Sequence, residues 1–170
     1  QKGFLPFGPI GIINACFPLS SVPLMVPLQA VEKHKGLAFH RIVKGFLAQG
    51  GCPNSAAGST EKAGRSGPGY TIDDEIHDDL YHERGMLNMA RRGPNTVGSQ
   101  FCIFFDDAEH LDGKYSVFGK VIRGMQVIAK LEAAAGRPPQ ETIRFDIKVI
   151  RKNNHTYELK RIKWQSINWM

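Results

Sequence analysis

Cysteine is scarce in this 170-residue chain: Cys16, Cys52 and Cys102 make three, with no CxxC spacing among them. An odd count without that spacing argues against a disulfide framework and against a structural zinc site. It points to free thiols, buried or half-buried, in a reducing compartment: the cytoplasm, or an organelle matrix after loss of a targeting peptide. Apolar runs are short as well, and none reaches the length that spans a bilayer. The acidic stretch TIDDEIHDDLYHE offers Asp73, Asp74, Glu75, His77, Asp78 and His82 as ligand types. Their spacing matches neither an EF-hand nor HExxH, so a solvated turn or short helix is expected there, and no metal or other cofactor.

Acid is in shorter supply than base, with 16 Asp and Glu against 22 Lys and Arg and a net charge of +6. The excess is uneven. From Arg151 onward five cations (Arg151, Lys152, Lys160, Arg161, Lys163) face one anion (Glu158), so +4 of the +6 sits in the last twenty residues. Residues 151–170 therefore read as a basic, aromatic-bearing extension that could meet an anionic partner or a larger complex. Residues 1–150 read as one domain, long enough to bury roughly 70% of its unfolded surface.

Apolar content of 42%, charged content of 22% and 18 glycines describe a globular chain with many turns and hence many short strands. Residues 1–9 show no clear period. Ile10 to Phe17 reads as a short strand, and a helix starting at Pro23 or Pro27 is expected to run to about Lys35, stopped by Gly36. Ala38 to Lys44 reads as a strand with Phe39, Arg41 and Val43 on one face and His40 and Ile42 on the other. His40 is expected to be a satisfied structural histidine. Gly50 to Gly69 reads as a long loop of small residues, of the kind that is usually functional. Met86–Ala90, Gln100–Phe105 and Ser116–Ile122 read as strands. Met125 to Ala135 keeps helical spacing at Val127, Ile128 and Leu131, with Gly136 as its stop. Ile143 to Val149 alternates as a half-buried strand. The pattern predicts an antiparallel barrel capped by helices.

Two stretches carry the chemistry, FHRIVKGFLAQGG (39–51) and GMLNMARRGPNTVGSQFCIFFDDAEHLDGKYSVFG (85–119). Neither holds a nucleophile with an obvious base beside it. They supply an arginine (Arg41), two glutamines (Gln49, Gln100) and apolar side chains (Phe46, Leu47, Phe101, Leu111), an inventory for binding and electrostatic work on a non-ionic substrate.

These two stretches, with GPGYTIDDEI and HLDGKYSVFGKVIRGM, resemble the signature blocks of the cyclophilins, in order, from about Gly8 to Val149. Cyclophilins are peptidyl-prolyl cis–trans isomerases, and the GPGY block is similar to the bacterial-style branch. The resemblance implies a mostly β fold, a closed eight-stranded antiparallel barrel capped by two α-helices, with a groove for X-Pro peptides. Position by position it implies that Arg41 is the catalytic arginine, Phe46 the floor of the proline pocket and Gln49 the residue that orients Arg41. Leu47, Ala90, Gln100 and Leu111 match groove-lining positions. Several positions depart from the family pattern. Arg91 stands where an asparagine usually offers its backbone to substrate, and Arg92 replaces a small residue. Cys102 replaces a pocket phenylalanine, His110 a tryptophan linked to cyclosporin binding, and Tyr115 a groove histidine. A wider, more polar pocket and weak cyclosporin binding are expected.

The X-Pro amide resists rotation by roughly 18–20 kcal/mol. A catalyst must bind the twisted amide better than either planar isomer. Its nitrogen regains a lone pair as the plane breaks, and an always-charged, multi-donor guanidinium suits that nitrogen. The first functional expectation is thus a prolyl isomerase acting on peptides and proteins. The second, motivated by Cys102, Arg91, Arg92 and the basic tail, is a catalytically weak cyclophilin-like binding subunit of a ribonucleoprotein or organellar complex.

Overall fold

The computed structural model describes residues 14–16 (backbone), 36–56, 62–136 and 143–147. The expected first helix, the irregular N-terminus and the basic extension lie outside the described residues. Among the described residues there are eight strands: β1 (Asn14–Cys16), β2 (Leu37–Ala38), β3 (Arg41–Val43), β4 (Leu47–Gly50), β5 (Met86–Met89), β6 (Phe101–Phe104), β7 (Val117–Arg123) and β8 (Arg144–Phe145). All pairings are antiparallel. Six strands form one sheet in the order β1-β7-β5-β6-β4-β3, and β2 pairs with β8. Among the described residues these pairings do not close into a ring of eight, and one α-helix is present, α1 (Met125–Ala133). The architecture is mostly β.

The strand expected over Ala38–Lys44 is two strands. Its chain changes partner midway. Phe39 donates its N–H to Ile143 O at 3.0 Å, beside β8, and the next amide, His40, donates to Gln49 O at 3.1 Å, on β4. A segment that serves two sheets cannot hold one register, so it breaks at Phe39–His40. Phe39 then packs 4.4 Å, centroid to centroid, from Phe145. The long loop is also less featureless than its composition suggests. It opens with a 3-10 turn at Pro53–Ser55, whose Ser55 Oγ accepts from Ala38 N and donates to Cys52 O. Arg144 Nη1 ties this turn to the start of β2 by donating to Ser55 O and Gly36 O.

The pleat sorts side chains by parity. Ile42, Ala48, Ile103 and Leu87 stand in register across β3, β4, β6 and β5. With Met89, Phe101, Phe105, Phe118 and Val121 they form the main core face. Helix α1 covers this core with Ile128 and Leu131, and Val127 of the same helix is also buried. Each such burial contributes about 1.5–3 kcal/mol. Glu132 of the same helix accepts from Gly45 N at 2.9 Å, which steadies the β3–β4 hairpin. Gly45 has φ +69°, a left-handed turn conformation that a Cβ disfavours, and the turn it makes delivers Phe46 to the opposite face. Gly51 is also required: a Cβ there would lie 2.3 Å from Ser99 O.

Candidate active site

On the other face of the same sheet the register aligns a second row. Arg41 pairs with Gln49, Gln49 with Cys102, and Cys102 with Asn88. Two residues along, Val43, Leu47 and Phe104 align in the same way. The row runs from solvent to interior: Arg41 is exposed, Gln49 half-buried, Cys102 and Asn88 buried. Leu47, Cys102, Phe104 and Ala108 form a small buried apolar cluster, with Phe46, Ala90 and Leu111 partly buried around it. The structure thus gathers Phe46, Leu47, Ala90, Cys102 and Leu111 into one apolar patch beside the exposed Arg41. Phe46 stands edge-on to Phe104 at 5.9 Å and lies 5.7 Å from the ring of the exposed His110.

The Arg41 side chain forms no hydrogen bond and no ion pair among the described residues, so its charge remains available. Gln49 does not hold it. The Gln49 side-chain NH2 donates instead to Gln100 Oε1 at 2.9 Å, and the Gln100 NH2 donates to Gly64 O at 3.2 Å and Ser66 O at 2.8 Å. Gln100 is therefore a hub that pins residues 64–66 of the long loop against the sheet. Gly64 N also donates to Cys52 Sγ at 3.1 Å. Cys52 and Cys102 are both free and buried. Burial pushes the Cys102 thiol up to about 12, against the pull of the nearby Arg41 charge. This cysteine is a neutral apolar floor, not a nucleophile. Burial lowers the His40 pKa, while Ala38 and Gln100, against which it lies, favour its charged form; its Nδ1 has no hydrogen-bond partner among the described residues.

Arg91 and Tyr115 sit together rather than apart. The Arg91 guanidinium lies 4.7 Å over the Tyr115 ring and pairs with Asp74. The acidic segment is correspondingly not a solvated turn throughout. Asp74 is held by Arg91 and Asn95, and His82 is only 2% exposed. His82 Nδ1 donates to Asp112 Oδ1 at 2.7 Å, its backbone N–H donates to the same oxygen at 2.8 Å, and its Nε2 lies 3.0 Å from Asn88 Nδ2. Its ring packs edge-on to Phe104 at 5.1 Å, beneath the apolar patch. Burial lowers the His82 pKa, though its contacts with Asp112 oppose this. Among the described residues no group of three or more His, Cys, Asp or Glu could hold a metal ion. Asp74, His82, Asn88 and Asp112 were not foreseen as part of the site. The one signal for them in the sequence is Asn88, a polar residue set inside the apolar strand MLNM.

What the arrangement offers is an apolar patch, a guanidinium beside it that is unpaired among the described residues, and an amide pair. Among the described residues its cysteine is a buried thiol, and its one His–Asp pair, His82–Asp112, lies beneath the patch rather than in it. A family model for the cyclophilin-type peptidyl-prolyl cis–trans isomerase/CLD domain matches residues 25–152. The chain is 44% identical over 124 residues to a peptidyl-prolyl cis–trans isomerase of Arabidopsis thaliana, covering 71% of this chain and 75% of that one. It is 45% identical over 94 residues to peptidyl-prolyl cis–trans isomerase B of Bacillus subtilis, covering 55% of this chain and 61% of that one. Among solved structures it is similar to a Cryptosporidium parvum cyclophilin-type isomerase crystallised in the presence of the dipeptide Ala-Pro. The TM-score is 0.70 and the identity 34%, covering 85% of this chain and 95% of that one.

Proposed function

The chain belongs to the cyclophilin-type peptidyl-prolyl cis–trans isomerases, and from that membership we propose how its own residues perform the reaction. It is an isomerase of X-Pro bonds, and its substrates are proline-containing peptides and proteins. The proline ring lies on Phe46, Leu47, Leu111 and Ala90 with Cys102 beneath, so the ring is held while the carbonyl side turns. Arg41 donates to the prolyl nitrogen as the amide plane breaks. A guanidinium is always charged and needs no proton transfer, so the gain is electrostatic and concentrated in the twisted state. The Gln49–Gln100 pair fixes the Gln49 amide, leaving Gln49 Oε1 to receive an Arg41 N–H once substrate orders that side chain. Gln100 and the backbone at Arg91 steady the peptide, and His110 and Tyr115 border the groove. On this reading the eight strands belong to the closed barrel of the family.

The observation that supports this reading most is the register row itself. It sets an unpaired cation one strand from a thiol-floored apolar pocket. The test is turnover of a short X-Pro peptide by purified chain. Arg41→Ala is expected to lose about 10²-fold or more in kcat, the scale of losing one preorganised donor. Its stability should stay within about 0.5 kcal/mol, because Arg41 is exposed. Wild-type chain that fails to exceed the uncatalysed rate would sink the assignment.

A further inference from the structure

The pocket's two side walls come from distant parts of the chain, Ala90 after β5 and Leu111 in the 3-10 turn Glu109–Leu111. One side chain spans them. Arg91, the neighbour of Ala90, pairs through Nη1 with Asp74 Oδ2 and donates through Nη2 to Lys114 O at 2.5 Å. It also lies across the Tyr115 ring. Lys114 and Tyr115 both donate their backbone N–H to Leu111 O, at 3.1 and 3.3 Å. A single guanidinium therefore links the Ala90 wall to the turn that carries the Leu111 wall. Its anchor is fixed from behind. Asp74 Oδ2 also accepts from Asn95 N at 2.8 Å, and Asn95 Oδ1 accepts from Asp74 N at 3.1 Å. The pair is largely removed from water, with side chains 13% and 9% exposed. Asp74 Oδ1 is buried with no partner among the described residues. A carboxylate kept at that desolvation cost is directed at the guanidinium, and losing it would leave a buried cation unpaired.

We propose that Arg91, through its side chain, and Asp74 are positioning residues that set the width of the proline pocket, Arg91 as a cross-brace and Asp74 as its anchor. This rests on the isomerase reading and adds a determinant of substrate ring size. With Cys102 as a small floor, the pocket grips a five-membered ring only while its walls are held together. Freeing the brace lets the Leu111 turn move away from Ala90. Proline is then held less tightly, and a larger ring is tolerated better.

The test uses the full chain and two peptides that differ only in proline or its six-membered homologue, pipecolic acid. Asp74→Asn is expected to raise KM for the proline peptide about tenfold, with kcat within about twofold. It should also lower the proline-over-pipecolate ratio of kcat/KM by about fivefold. Arg91→Lys keeps the charge but cannot reach Asp74 and Lys114 O together while stacking on Tyr115, and it is expected to shift the ratio the same way. It carries the test alone if Asp74→Asn does not fold. Asp146→Asn removes a carboxylate that accepts from Gly36 N at 2.7 Å, beside the β2–β8 pair, and controls for stability loss by leaving the ratio unchanged. An active wild type whose variants at Asp74 and Arg91 keep its KM and its ratio overturns the brace. A wild type without turnover overturns the isomerase reading instead.

Discussion

Cys102 shows how much a single side chain's meaning depends on what stands beside it in register. Its strand neighbours are Gln49 on one side and Asn88 on the other, and it is 5% exposed. With its pKa pushed to about 12, the thiolate fraction near neutral pH is negligible, and the thiolate is the reactive species. Cys102 in the native chain is therefore expected to resist iodoacetamide at pH 7.5 and to be labelled fully once denaturant is added, with peptide mapping to separate it from Cys16 and Cys52. Labelling of native Cys102 at the rate of a free thiol would show that the pocket floor is open. At this scale the sequence pattern gives the faces, while the roles of the patch residues rest on the family resemblance. Strand parity puts Leu47 and Gln49 on one face and Ala48 on the other, whatever the family. Asp74 was not legible, because its role is set by Arg91, 17 residues away, and no local period carries that information.

Among the elements, the short turn after β6 is the least predictable and matters most to the site, since it carries His110 and Leu111. It is tied down by Asp112, which accepts from both the backbone and the ring of His82, 30 residues earlier in the chain. Ala108 N in turn donates to His82 O at 2.7 Å. Burial of His82, which outweighs its contacts with Asp112, gives the fold a pH dependence of definite sign. The ordinary histidine value is 6.5, and burial lowers it in the folded chain. Below 6.5 the unfolded chain takes up the proton first, so it binds more protons than the folded chain and stability falls with falling pH. The loss begins near pH 6.5 and levels off below the lower folded value, at about 1.4 kcal/mol for each pH unit between the two. Urea midpoints measured from pH 7.5 to 5 are expected to drop accordingly. His82→Gln should flatten that slope while lowering stability at pH 7.5 by about 1–3 kcal/mol, the scale of leaving buried partners unmatched. An unchanged slope in the variant would assign the titration to another group. The helix over Met125–Ala133 was legible because Val127, Ile128 and Leu131 repeat with its period. The break at Phe39–His40 was not, because it reflects a change of partner strand rather than of residue type.

For the molecule as a whole, one sheet serves two purposes on its two faces, and this is why stability and activity should separate. Ile103 and Cys102 are adjacent on β6, yet Ile103 faces the main core and Cys102 the pocket. The alternation was visible in the sequence and gave a mostly β fold. The actual pairing order and the division into six strands and two depend on long-range contacts, which a period of two cannot encode. Ile103→Val removes one buried methyl group and is expected to cost about 0.5–1.5 kcal/mol of stability, leaving kcat/KM within about twofold where the chain is folded. Phe46→Ala is expected to do the reverse. Phe46 is half-buried against Phe104 and His110, so its loss should cost less stability than a fully buried phenylalanine would, but at least about tenfold in kcat/KM if, as proposed, its ring holds the proline. Urea denaturation and peptide turnover measured on both variants decide the matter. If Ile103→Val impaired turnover as much as Phe46→Ala did, the two faces would be one mechanical unit, and the pocket's shape would be set by core packing rather than by the row of side chains beside Arg41.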